Sequence, residues 1–210
     1  MAQATELDSA PGTTIEIDRV RFQIRATGSG RPLVIFGGQT QAGALIGGLA
    51  AHHRVLAIEI ANDEPLGARQ LAETAANALA RLKLDGVSVI GISRGAELAL
   101  ALALVAPNQI DKLILLAPPR LAALDEAVLA ELIQVKAATL VMVGSNDRSG
   151  AVETMRALRE KIPACQILLI YGAGEAIVSD RPDACISPIT EFLARGIEFV
   201  VCHESQLLRR

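Results

Sequence analysis

Tryptophan is absent from this 210-residue chain and aromatic residues make up only 2% of it, although apolar residues together reach 51%. The core must therefore be built from Ala, Leu, Ile and Val, and any pocket must be walled by small aliphatic groups. No charge of one sign dominates. The chain carries 20 Lys and Arg against 23 Asp and Glu, interspersed, for a net charge of -3. Such a balance excludes the basic stripe that displaces counterions from phosphates, so nucleic acid is not expected as a partner. Long apolar runs are also missing. The longest, residues 98–107, is too short to cross about 30 Å of hydrocarbon and reads as a buried helix, so no membrane span is expected. Cysteine is limited to three widely spaced residues, Cys165, Cys185 and Cys202. An odd count at that spacing matches neither a disulfide framework nor a zinc site and reads as idle thiols in a reducing cytoplasm, with no metal and no cofactor expected. Residues 1–12 lack the basic start and apolar stretch of a secretory signal and read as a polar tail. That leaves residues 13–210 as one domain, a length at which a full core can be buried without staples.

The apolar pattern is what the chain does have. Residues 14–17 and 20–24 alternate apolar and polar around Asp18-Arg19, as a hairpin of half-buried strands would. From Pro32 onward the texture changes to continuous apolar runs at 33–36, 55–60, 87–92, 113–116, 139–143 and 167–170. Helical patterns separate them at 42–51, 67–82, 94–105, 124–135, 151–161 and 182–194. Strands covered on both faces by helices look like this, so an α/β fold with a doubly wound, mostly parallel sheet is predicted, with one further edge strand at 197–202. In such a sheet the working residues sit in loops beyond the carboxyl ends of the strands.

One of those loops carries Gly91-Ile92-Ser93-Arg94-Gly95, between the apolar run 87–92 and a helical segment. A serine on this strand-turn-helix is held in a strained backbone conformation, and side chains two residues away on either side would collide with neighbouring backbone, which accounts for both glycines. A plain Gly/Ser turn that lets a helix pack on a strand is the structural alternative. Two other segments stand at comparable positions. Arg31-Pro32-Leu33-Val34-Ile35-Phe36-Gly37-Gly38 is an apolar strand running into a glycine pair, and Gly144-Ser145-Asn146-Asp147 follows the strand 139–143.

With these motifs the chain resembles the α/β-hydrolase superfamily over residues 14–194. The resemblance implies Ser93 as nucleophile, Asp147 as the triad acid, and an oxyanion hole made by the backbone N–H groups of Gly38 and Arg94. Asp147 has a structural alternative as a turn cap before Ser149. Only residues 118–137 lie between the strands at 113–116 and 139–143, so the lid is minimal, one helix at most, and the site is open. The chain departs from the family twice. Phe36 stands where the family writes the histidine of its oxyanion loop, and Glu175, in Tyr171-Gly172-Ala173-Gly174-Glu175-Ala176, takes the place of the catalytic histidine. A serine hydroxyl needs a base that accepts its proton and later returns it, and a carboxylate, ordinarily near pKa ~4.3, is a weak one. His52 and His53 precede a strand and so belong at the far end of the sheet, while His203 lies at the end of the chain.

Two functions follow. One is an esterase-like serine hydrolase of weak or non-standard activity on a small molecule, in which Asp147 and Glu175 face each other and share a proton. The other is a catalytically inactive binding or regulatory protein, with Arg94 pairing with Glu175 or holding a carboxylate ligand, and with dimerisation through the edge at 197–202.

Overall fold

The structure, a computed structural model, describes residues 12–37, 39–61 and 66–198, with residues 39–41 described in backbone only. The expected tail falls almost wholly outside the described residues. The chain opens with β1 (Thr13–Ile17) and β2 (Val20–Thr27), paired antiparallel. Asp18 and Arg19 between them both have positive φ, 48° and 66°, as the tight hairpin turn requires of its two central residues. β3 (Arg31–Phe36), α1 (Gln39–Leu49), β4 (His53–Ala61), α2 (Ala68–Arg81), β5 (Val87–Ile92), α3 (Arg94–Val105) and β6 (Ile110–Leu116) follow. The chain then runs through α4 (Glu126–Glu131), β7 (Ala138–Gly144), α5 (Ala151–Lys161), β8 (Cys165–Ile170), α6 (Ile177–Asp180) and α7 (Pro182–Arg195).

The eight strands form one sheet in the order β1-β2-β4-β3-β5-β6-β7-β8, parallel from β4 to β8 and antiparallel at β1 and β2. Successive residues of the central strands serve opposite faces. Val34, Phe36, Val89, Leu113, Leu115, Val141 and Val143 pack with α2, α3 and α5. Leu33, Ile35, Ile90, Ile92, Ile114, Leu116, Leu140 and Met142 pack with α1, α6 and α7. Because both faces are covered, the polar alternation of a half-exposed strand disappears and the continuous apolar runs result. The order reverses at β3, which has β4 on one side and β5 on the other, so the crevice beyond their carboxyl ends lies at a topological switch point.

Two expectations need correction. The helix expected over 124–135 is shorter and broken: Asp125 caps it, its side chain accepting from the Ala127 N–H at 2.9 Å, and after Glu131 the backbone tightens into a 3-10 turn, Leu132–Gln134. This segment is fastened to the helical layer. Glu97 of α3 accepts a hydrogen bond from the Asp125 N–H at 2.9 Å, and Glu131 pairs with Arg69 of α2 at 2.9 Å. The strand expected at 197–202 is not supported at its start, because Gly196, at φ 61°, ends α7 and residues 196–198 form a 3-10 turn. Residues 199–202 lie outside the described residues.

Cys165 and Cys185 are buried free thiols. Burial pushes the Cys165 thiol up to about 12 and the Cys185 thiol up to about 11. Alkylation requires the thiolate, so both should resist iodoacetamide in the folded protein at pH 8 and react once the chain is unfolded in guanidinium. Peptide mapping of native and denatured samples checks this, and fast native labelling of either residue would contradict it.

Candidate active site

The turn after β5 is built by backbone contact. Ser93 has φ 53° and ψ -118°, a conformation that costs a residue with a side chain roughly 1–3 kcal/mol. Its N–H donates to the Leu116 carbonyl of β6 at 2.9 Å, and its own carbonyl accepts from the Ala96 N–H at 2.9 Å, which starts α3. A Cβ on Gly91 would overlap the Gly95 carbonyl oxygen and stand 2.5 Å from the Ala96 Cα, and one on Gly95 would overlap the Phe36 carbonyl oxygen. Strand, turn, helix and the end of β3 therefore touch main chain to main chain, and the Ser93 side chain is left at the lip of a pocket.

That pocket, about 190 Å³, holds Ser93 and Glu175 together. Its apolar wall is Ile92, Ala117, Ile177 and Val178, and Ser179 adds a second hydroxyl. No residue of 118–135 lines it, so the segment at the place of a lid does not enclose the serine. Glu175 is exposed, and its loop is tied down on both sides: the Gly174 N–H donates to Asp180 Oδ2 at 2.8 Å and Arg181 Nη1 donates to the Tyr171 carbonyl at 2.9 Å.

The acid loop and the Glu175 loop are joined. The Ser145 N–H donates to the Ile170 carbonyl at 3.0 Å, the Asn146 N–H to the Ala173 carbonyl at 2.9 Å, and the Gly172 N–H to Ser145 Oγ at 2.9 Å. Gly144 lies against the carbonyls of Ala173 and Gly174 so closely that a Cβ there would overlap both oxygens. Asp147 itself is committed locally: its Oδ1 accepts from both the N–H and the Oγ of Ser149, each at 2.7 Å. These bonds are the turn-cap role. Its Oδ2 is buried with no hydrogen-bond partner. No hydrogen bond joins Asp147 to Glu175 among the described residues, so the shared-proton pair is not formed in this arrangement.

Arg94, the first residue of α3, is exposed and lines a second cavity, about 370 Å³, on the other side of the turn. No ion pair joins it to Glu175 among the described residues. Gly38, the second oxyanion donor expected, lies outside the described residues, as does His203. His53 opens β4 at the amino end of the sheet, where Arg31 is its register partner on β3. Burial, reinforced by the charges of His52 and Arg31, holds its imidazole below the usual range. Among the described residues no cluster of three or more His, Cys, Asp or Glu is placed to hold a metal ion, and no helix is long and apolar enough to cross a membrane. The pocket wall at Ile177, Val178 and Ser179 has no sequence signature, since it depends on where α6 is laid against the sheet. Asp180 had one weak signal, a carboxylate six residues past a glycine in a loop.

No protein-family model matches the chain, and no curated protein matches it in sequence. Solved structures do match in shape. A predicted CIB-like hydrolase from Thermoplasma acidophilum superposes with a TM-score of 0.75 at 18% identity, covering 88% of this chain and 98% of that one. A meta-cleavage product hydrolase from Pseudomonas fluorescens, complexed with acetates, gives 0.77 at 14% identity over 87% of this chain and 97% of that one. Naproxen esterase from Bacillus subtilis gives 0.75 at 13% identity over 90% and 94%. Together with the strand order, the two covered faces and the strained serine turn after β5, these likenesses show that the chain has the α/β-hydrolase fold.

Proposed function

We propose that this chain is an esterase-like serine hydrolase of low efficiency, with Ser93 as nucleophile and Glu175 as the group that handles its proton. The observation that carries the reading is the Ser93 backbone, held at φ 53° and ψ -118° at the lip of a pocket that it shares with a carboxylate. A turn serving packing alone would be cheapest with glycine at that position, whereas a reacting hydroxyl has to be a side chain. Ser93 Oγ attacks the ester carbonyl and Glu175 receives its proton. The oxyanion is met by the backbone N–H of Arg94, and Glu175 returns the proton to the departing alcohol. Water then releases the acyl group by the same steps in reverse. Hydrolase and esterase are also the activities named for the structures of similar shape.

A second reading, an inactive protein that binds a small molecule in the same pocket, is favoured by Asp147 Oδ2, a buried acceptor to which nothing donates. One experiment separates the two. Treatment with a small fluorophosphonate, read by intact mass, should give a single slow adduct that is absent from Ser93→Ala. A parent protein that stays unmodified under conditions that label an ordinary esterase would decide for the binding protein.

A further inference from the structure

We infer that the cavity on the Arg94 side of the turn takes an acyl chain that ends in a carboxylate, so that the preferred substrates are monoesters of aliphatic dicarboxylic acids with small alcohols. The assignment of the two sides rests on the hydrolase reading. The group that returns the proton has to reach the leaving oxygen, and Glu175 lines the pocket of about 190 Å³, so the alcohol belongs there. The acyl and alkoxy groups of an ester diverge from the carbonyl carbon, so the acyl chain leaves that pocket, and it is directed past Arg94 and Gly95, the residues that follow Ser93 in the turn. There it meets the larger cavity, about 370 Å³, walled by Phe36, Ile58, Ile60, Leu71 and Leu98, with Arg94 at its edge.

Those walls select hydrocarbon, and Arg94 adds the requirement for an anion. Its charge has no structural use that the described residues show. It stands at the amino terminus of α3, where the helix dipole disfavours a cation, and no hydrogen bond or ion pair engages it among the described residues. The carboxylates nearest in the chain and in the wall are taken: Glu97 accepts from the Asp125 N–H, and Glu59, which also lines the cavity, is already engaged. A planar guanidinium in that position matches a carboxylate in a two-bond fork. A neutral fatty chain would be served as well by leucine or methionine at position 94.

The test is equilibrium binding by ligand-observed NMR to the full chain carrying Ser93→Ala, which removes turnover. The probes are monomethyl adipate and methyl hexanoate, esters of the same chain length with and without the terminal carboxylate. Monomethyl adipate should bind about two- to fivefold more tightly, the range open to an exposed ion pair. Arg94→Gln should abolish the difference and Arg94→Lys should keep part of it. Equal affinities, no saturable binding of monomethyl adipate, or a preference that survives Arg94→Gln would each overturn the inference. Fluorophosphonate labelling of Ser93 reports on the hydrolase reading separately, because it needs neither the carboxylate nor Arg94.

Discussion

Glu175→His should raise kcat/KM for p-nitrophenyl acetate by about 10²- to 10⁴-fold, the contribution of a well-placed general base. The loop that carries position 175 is already fastened to the acid loop. The acid loop and the 171–175 loop are held together by the bonds from Asn146 N–H to the Ala173 carbonyl and from Gly172 N–H to Ser145 Oγ. On the acid, Asp147 Oδ1 is committed to Ser149 while Oδ2 is buried and unpartnered. A buried acceptor left without a donor costs about 1–3 kcal/mol, so an N–H offered to it by a histidine would be taken up. Glutamate supplies no N–H, and its carboxylate would meet Asp147 with like charge. The gain should vanish in the double variant with Ser93→Ala, and Asp147→Asn should remove most of it by taking away the acceptor that fixes the tautomer. An unchanged kcat/KM in Glu175→His would show that the two loops do not bring position 175 into reach of Ser93 Oγ. The Asp147 assignment would then fall back to the turn cap alone.

How far such a site can be read from sequence depends on the range of the interactions that make it. Strands buried on both faces were legible as unbroken apolar runs, because burial on two sides leaves no room for alternation. The serine turn was legible because its glycines answer a local steric need, and their contacts with Ala96 and Phe36 bear that need out. Asp147 was not resolvable in the same way. Asp-x-Ser is the spacing of an Asx turn and equally the position of an acid, and only the three-dimensional structure shows one oxygen bonded to Ser149 and the other buried alone. The short helix after Asp125 shows the reverse failure. Its apolar periodicity continues through Leu132, while the hydrogen-bonding pattern changes at Glu131. Long-range polar contacts, such as Glu97 with Asp125 or Gly174 with Asp180, leave no periodic trace at all. That Arg94 is unengaged had to be seen in the fold.

Gly95→Ala should lower the melting temperature by roughly 6–12 °C, the effect of about 3 kcal/mol in a domain of this size. The added methyl would overlap the Phe36 carbonyl oxygen and come within 2.7 Å of its carbon. Both belong to main chain, so no side-chain rotamer relieves the overlap. β3 is the strand at which the sheet order reverses, hydrogen-bonded to β4 on one side and β5 on the other, so moving Phe36 outward strains two ladders. Small-to-large changes in a packed interior already cost about 1–3 kcal/mol when side chains can adjust, and here they cannot. The same substitution at Gly47 is the control. That glycine lies on the exposed face of α1 with nothing within 4 Å of its missing Cβ. Alanine there should stabilise the helix by about 0.5–1 kcal/mol and raise the midpoint by a few degrees. Differential scanning calorimetry of the two variants beside the parent measures both shifts. A loss of less than about 2 °C in Gly95→Ala would mean that α3 can slide away from β3. The Ser93 turn would then be a looser structure than its backbone angles indicate, and Gly95→Ala would be expected to retain fluorophosphonate labelling at the parental rate.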